Sequence, residues 1–309
     1  MPRFSPCRLV EGRLRLSGLR LSFFLFLIVS ILQISTIPCS AAAVGSGSGN
    51  GSDEARRLPQ SLGKIVYRYN ENSSKTLYII GIDHRDPLRY RPDGKTVAAQ
   101  NEIYRIGEWL QRNRNTDLLL PEGFFGNSEI SRPRSGVPDD GAIRRELADD
   151  SRFVNAEMLL MEYDRMRACQ VEDRHLYSAV LDRLVKLEKA ADDPAACVSL
   201  QTEIDSLQQK RTTAILQKIP SVIQAEYASG RIPNRNALFT IGLKHIGTII
   251  HYLENDGTRV GLSPSDPGKE QARIPELDLL KEGFGIVIII PRSLVHEDEV
   301  LRPTELAGL

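Results

Sequence analysis

From residue 64 onward the chain is punctuated by short, dense apolar runs: "KIVYRY" (64–69), "LYIIGI" (77–82), "DLLLP" (117–121), "CQVE" (169–172), "ALFTIGL" (237–243), "RVGL" (259–262) and "IVIIIP" (286–291). Several are nearly continuous in Ile, Leu and Val rather than alternating, the pattern of strands covered on both faces. Between them, apolar residues recur at helical spacing over 97–113, 153–168, 176–191, 196–228 and 245–255. Strands alternating with helices predict an α/β domain built on a mainly parallel sheet flanked by helices. Two stretches break the rhythm. Residues 124–150, with "GNSEISRPRSGVPDDG", are rich in Gly, Pro, Ser and charge and read as a long surface loop. Residues 176–228 place Leu181, Leu184, Val185 and Leu187, then Leu200, Ile204, Leu207 and Ile215, at helical spacing around a break at "DDP" (192–194). That predicts a helical hairpin inserted between strands.

The α/β domain is therefore expected over 64–291, with 292–309 as a C-terminal tail. The first 43 residues follow a different logic. A basic leader is followed by the 17-residue uncharged run "LSFFLFLIVSILQISTI" and then by "PCSAAA", whose small residues suit signal-peptide cleavage. The segment reads as a signal peptide or, uncleaved, as an N-terminal anchor, since about 17 apolar residues are at the lower limit for spanning a bilayer. Either way the expectation is export, to a periplasmic or extracellular location. Residues 44–63, "VGSGSGNGSDEARRLPQSLG", form a flexible Gly/Ser-rich tether. Removing the leader leaves Cys169 and Cys197, which an oxidising compartment could pair and whose geometry the sequence cannot supply.

Formal net charge is zero, and beyond the leader 35 basic residues face 39 acidic ones. That balance does not favour nucleic acid as a partner. A small-molecule or peptide substrate suits the chain better, with membrane contact only through the N-terminal segment.

Candidate chemistry sits at strand ends. In open α/β sheets the C-terminal ends of the strands carry the site, because side chains from separate strands converge there beside helix N-termini. Asp83 and His84 follow "LYIIGI", Glu122 follows "DLLLP", and His245 follows "ALFTIG" and opens the helix "HIGTIIHYLEN". The two histidines share a pattern: Gly81-Ile82-Asp83-His84 and Gly242-Leu243-Lys244-His245 are both G-x-x-H, in which the glycine permits a tight exit from the sheet or close approach of another backbone. His84, Glu122 and His245 are the expected catalytic residues. A neutral imidazole can take a proton from water or bind a metal, and a helix N-terminus beside His245 favours its neutral form. Glu122 can orient a histidine, bind a metal or act as the base itself. The same three residues are an adequate ligand set for Zn, Mn or Fe, although their spacing is not that of a local motif such as H-E-x-x-H. No G-x-S-x-G elbow is present, and neither is a P-loop nor a strand-associated G-x-G-x-x-G.

The remaining polar residues divide more plainly. Arg235, just ahead of a strand, is a candidate for binding an anionic substrate group. Glu172 and Asp173 read as cap and turn residues before the helix from 176, with Glu172 also a candidate for the site. Asp83, alternating with His84, should face the other side of its strand and cap or pair there. His175, His251 and His296 default to structure or solvent.

The motifs "IIGIDH", "LLLPEG" and "LFTIGLKHIGTII", with "CQVEDR" less closely, resemble those of the TraB/TIKI group and its relatives, the erythromycin esterases and the ChaN-like iron-regulated proteins. The resemblance covers about residues 64–291. It implies an α/β core, and in some branches a hydrolase using paired His and Glu, esterase- or metallopeptidase-like, with a divalent metal in some of them. The ChaN-like branch implies haem or iron binding instead. The long 124–150 loop and the charged "DHRDP" turn depart from the pattern. Three readings stay open: an exported hydrolase, a haem- or iron-binding protein on the same fold, and a non-catalytic interaction module whose working surface is the hairpin.

Overall fold

The computed structural model describes residues 57–83, 94–128, 134, 136, 138–149, 154–254 and 278–295, all within the unit Gly51–Leu309. The leader, the tether up to residue 56, His84, the run 259–262, His296 and the rest of the C-terminal tail lie outside the described residues. The elements follow in chain order: β1 (Gly63–Tyr69), β2 (Thr76–Ile82), α1 (Gly94–Arg114), β3 (Leu118–Pro121), β4 (Asn127–Ser128), α2 (Asp140–Ala148), α3 (Ala156–Glu162), β5 (Arg167–Cys169), α4 (Arg174–Lys189), α5 (Pro194–Ala228), β6 (Ala237–Gly242), α6 (Lys244–Glu254), α7 (Asp278–Lys281) and β7 (Gly285–Pro291).

The strands form one sheet in the order β1-β7-β2-β6-β3-β5-β4. The five central strands are parallel, and β1 and β4 close the two edges antiparallel. This is the α/β architecture that the runs of Ile, Leu and Val predict. Along β2 and β6 every residue is buried. Alternate side chains serve two separate cores. Leu77, Ile79, Phe239, Ile241, Ile286 and Ile288 pack on one face with Ile215, Ile219 and Ile223 of α5 and Ile246 and Ile249 of α6. Ile80, Leu119 and Leu238 pack on the other with Ile103, Ile106 and Leu110 of α1 and Leu159 and Leu160 of α3. Each such fully buried Leu or Ile contributes about 1.5–3 kcal/mol, and covering both faces is what makes the unbroken apolar runs tolerable.

The inserted hairpin is α4 and α5, two residues ahead of the expected starts at 176 and 196. Asp173 caps α4 by accepting from the His175 and Leu176 amides at 2.9 Å, and Asp193 caps α5, with Pro194 at its first position. Elsewhere the structure corrects the expectation. The 124–150 stretch is not all loop. Asp139 accepts from the Ala142 amide at 2.6 Å and starts α2, whose Ile143 and Leu147, one turn apart, are buried. The helical pattern at 153–168 stops at Glu162: the chain turns through Arg165, at φ +57°, so that Met166 and Ala168 are buried and β5 runs Arg167–Cys169 instead of 169–172. Cys169 and Cys197 do not pair. The first is buried in β5, and the second donates to the Ala190 carbonyl at 3.1 Å in the hairpin turn. No helix among the described residues is long and apolar enough to cross a membrane.

Candidate active site

Because β2, β6, β3 and β5 are parallel neighbours, their C-terminal ends form one edge. Ile82 pairs with Gly242, and the ladders run on past the strand ends: the Leu243 amide donates to the Ile82 carbonyl and the Glu122 amide to the Thr240 carbonyl, both at 2.9 Å. Two glycines set the local approach. A Cβ at Gly81 would stand 2.9 Å from Leu243 Cδ1 and 3.0 Å from Ile246 Cγ1, so a larger residue there would have to displace these side chains where α6 starts against β2. After β3 the chain reverses with the Phe124 amide on the Pro121 carbonyl, and Gly123 takes φ +72°, the third-position requirement of a type II turn. Glu122 is thereby held at the crest of the turn.

Both of its carboxylate oxygens are held. Oε2 accepts from the Gly242 amide at 2.5 Å, and Oε1 lies 2.8 Å from Arg211 Nη1 and 3.6 Å from His245 Nε2. Arg211, from α5, turns its other edge to Glu172: Nε reaches Oε1 at 2.8 Å and Nη2 reaches Oε2 at 2.6 Å, the two-pronged geometry that suits guanidinium to carboxylate. Glu172 Oε2 also accepts from the Gly123 amide at 3.0 Å. The side chains of Glu122, Arg211 and Glu172 are 6%, 5% and 0% exposed. Burial works to lower the Arg211 pKa, but the bonds to Glu172 and the charges of Glu122 and Glu172 override it and hold the group above its ordinary value. The guanidinium is therefore a permanent cation, shared between two buried carboxylates.

His245, the second residue of α6, completes the cluster, and its tautomer follows from its neighbours. Thr212 Oγ1 lies 2.8 Å from Nδ1 and 2.9 Å from the Gln208 carbonyl. A hydroxyl has a single proton, and a carbonyl can only accept it. The assignment that satisfies both contacts puts the Thr212 proton on Gln208 and a hydrogen on Nδ1, which donates it to Thr212. In the neutral ring Nε2 is then the basic nitrogen, and it is the one turned toward Glu122. Nε2 and Oε1 are two acceptors 3.6 Å apart, too far for a direct hydrogen bond and well spaced to share the protons of one small donor such as water.

One flank of the cluster is aromatic. Tyr177, in the first turn of α4, stacks edge-on to Phe125 with centroids 5.0 Å apart, and Arg211 Cζ stands 5.1 Å from its ring centre. Arg174 covers Phe125 from outside at 5.3 Å. Burial pushes the Tyr177 phenol above its ordinary pKa.

Of the residues expected from sequence, the structure brings together Glu122, His245, Gly242 and Glu172. His84 lies outside the described residues. Gly81 serves packing at the same edge. Asp83, just past β2, accepts from Thr96 Oγ1 at 3.4 Å through its carboxylate and from Gln100 Nε2 at 3.0 Å through its carbonyl, tying the strand end to α1. Arg235 stands apart from the cluster: it precedes the N-terminal end of β6, six residues of strand away, with its guanidinium carbon 4.5 Å from the Tyr227 ring centre. His175 is exposed on α4, and His251 lies near the other end of α6. Sequence reasoning missed Arg211, Thr212 and Tyr177. A signal for Arg211 was present: it stands as a cation in the helical register of the buried Ile204, Ile215 and Ile219.

As a metal site the described part supplies two donors, Glu122 and His245, and Glu122 Oε1 is already committed to Arg211. No group of three or more His, Cys, Asp or Glu among the described residues is arranged to hold an ion. The described residues alone do not fit a metal. The chain matches no family model, no curated protein and no solved structure.

Proposed function

We propose that the chain is an exported hydrolase that cleaves an ester or amide with water activated between His245 and Glu122. The observation that carries this reading is the placement of His245, with Nδ1 on Thr212 and Nε2 facing Oε1 of a carboxylate fixed by Arg211 and the Gly242 amide; with the hydrogen on Nδ1, Nε2 is the basic nitrogen. Nε2 is the general base, and Glu122 holds the water and steadies the imidazolium that forms. Thr212 has the orienting role that a carboxylate fills in serine hydrolases. Placement at the C-terminal edge of a parallel sheet, the leader at the N-terminus and the likeness of the three motifs to the TraB/TIKI group agree with this assignment.

The test is turnover of p-nitrophenyl esters and fluorogenic peptide amides by the purified protein, with and without EDTA, beside Glu122→Gln and His245→Ala. Each variant should lose about 100-fold or more of kcat/KM, in the range of general-base removal. His251→Ala, at the far end of the same helix, should keep near wild-type activity. Turnover that survives in both Glu122→Gln and His245→Ala, or no turnover by the wild type on any of these substrates, would refute the assignment.

A further inference from the structure

We infer that the Tyr177 hydroxyl is the donor that binds the substrate's carbonyl oxygen, which makes Tyr177 a further catalytic residue; this rests on the hydrolytic reading of Glu122 and His245. Hydrolysis of a carbonyl compound needs a hydrogen-bond donor where negative charge develops, and removing one such donor typically costs 100- to 1,000-fold in rate. In many hydrolases backbone amides at a strand-end turn fill that role. Here the two glycine amides nearest the carboxylates are spent. The Gly123 amide is bonded to Glu172 and the Gly242 amide to Glu122. The Thr212 proton goes to Gln208, and four of the five Arg211 N–H groups go to Glu122, Glu172 and Gln208.

Tyr177 is different. Its hydroxyl makes no hydrogen bond among the described residues, although its ring is half-buried and fixed on two sides by Phe125 and Arg211. A Cβ built on Gly123 would lie 3.7 Å from Cε2 and 3.9 Å from the hydroxyl oxygen, so the phenol hangs over the turn that presents Glu122. Burial raises the phenol's pKa, which keeps the proton on the oxygen and the group a donor.

The step balances without further reagents. The water oxygen adds to the carbonyl carbon while its proton passes to His245 Nε2, and the π electrons move to the carbonyl oxygen, where the Tyr177 O–H donates. Collapse of the adduct restores the C=O bond and breaks the bond to the leaving group. The leaving oxygen or nitrogen departs with the proton from His245, giving an acid and an alcohol or amine. Tyr177 keeps its proton throughout.

The experiment compares wild type, Tyr177→Phe and Glu122→Gln on p-nitrophenyl butyrate and on the matching thionoester, whose C=S sulfur accepts hydrogen bonds poorly. Tyr177→Phe should lower kcat about 100-fold with KM within about threefold, and its melting temperature should match wild type because no hydrogen bond is lost. Wild type should favour the oxygen ester over the thionoester by about tenfold more than Tyr177→Phe does. Ester turnover that collapses in Glu122→Gln but stays near wild type in Tyr177→Phe, or a change confined to KM, would overturn the Tyr177 role and leave the hydrolytic reading standing. Wild-type turnover no greater than that of Glu122→Gln would overturn both.

Discussion

Replacing Arg211 with Met is the sharpest probe of the buried cluster, because it keeps the length and apolar stem of the side chain and deletes only the charge. In the wild type the guanidinium sits 2.6–2.8 Å from oxygens of both Glu122 and Glu172, and all three side chains are almost wholly buried. Two unit charges about 4 Å apart attract by about 4 kcal/mol at the effective dielectric of such sites. Two attractions of that kind are offset by the desolvation of three ions, so the net worth of the cluster is far below their sum. Removing one partner is another matter. It strands two carboxylates in a site that has lost its counter-charge, and breaking buried pairs in this way costs about 3–5 kcal/mol. We therefore expect Arg211→Met to lose about 4 kcal/mol at pH 7.5 by urea unfolding followed by circular dichroism. The loss should shrink toward pH 5. Without Arg211 the paired carboxylates are pushed above their unfolded pKa values, and a raised acid group favours the folded state below that shifted pKa and costs stability as pH rises through it. The double variant Arg211→Met, Glu172→Gln should recover about 1.5–2.5 kcal/mol of the loss, so the coupling energy in the cycle equals that amount plus the cost of Glu172→Gln alone. A loss below about 1 kcal/mol with no dependence on pH would show that these three charges do not share one field, and Arg211 could then not be what fixes the Glu122 carboxylate.

Three further outcomes follow from the same structure. Thr212→Val keeps the shape of the buried side chain but removes the acceptor that fixes the Nδ1–H tautomer of His245, so kcat on the ester assay should fall about tenfold while the melting temperature moves little; an unchanged kcat would refute the tautomer argument. The carboxylate of Glu226, bonded first by Arg231 and against burial also by Arg167, is held down to about 2; its depressed pKa contributes stability that is complete above the ordinary carboxylate value and is lost as pH falls through about 2, and Glu226→Gln should remove about 2 kcal/mol of that acid-sensitive term in unfolding titrations between pH 5 and 2, after allowance for the half-exposed Arg231. Burial and the neighbouring Glu226 push the Cys169 thiol up to about 11, so a thiol reagent at pH 8 should label Cys197 promptly and Cys169 only on unfolding; rapid labelling of both would contradict the packing of β5.

The fold was legible because its signals are local. Unbroken apolar runs at 77–82, 117–121, 237–243 and 286–291 can be satisfied only by strands covered on both faces, and all four are strands of the central sheet. The errors fell where a few residues decide. At 163–166 a left-handed Arg165 ends a helix that periodicity alone would have continued, and within 124–150 the Asp139 cap starts a helix inside a stretch whose composition reads as loop. The site was legible in part for the same reason. Glu122, Gly242 and His245 follow strands directly, so strand-end position finds them. Glu172 was half-seen, as a turn residue and site candidate, because nothing local shows that its carboxylate is fully buried. Arg211 and Thr212 lie near the middle of a 35-residue helix, and Tyr177 one turn into another; their meeting with Glu122 depends on how the hairpin docks, which no spacing in the sequence encodes.

The cluster also explains why the hairpin is there. Arg211, Glu122 and Glu172 come from α5, the end of β3 and the segment between β5 and α4, so a single shared cation ties the inserted helices to the sheet edge. Stability alone is a poor reason to keep such an arrangement, since well-packed apolar side chains of the same volume would serve as well or better. Position is the better reason. Arg211 fixes one oxygen of Glu122, the Gly242 amide fixes the other, and Glu172 fixes the Gly123 turn on which Glu122 stands. From the same two helices, Thr212 orients His245 and Tyr177 overhangs the turn. In this reading the parallel sheet supplies a rigid edge with a carboxylate and an imidazole, and the hairpin supplies the groups that aim them. Three polar side chains of the hairpin, Arg211, Thr212 and Tyr177, thus turn inward onto that one edge.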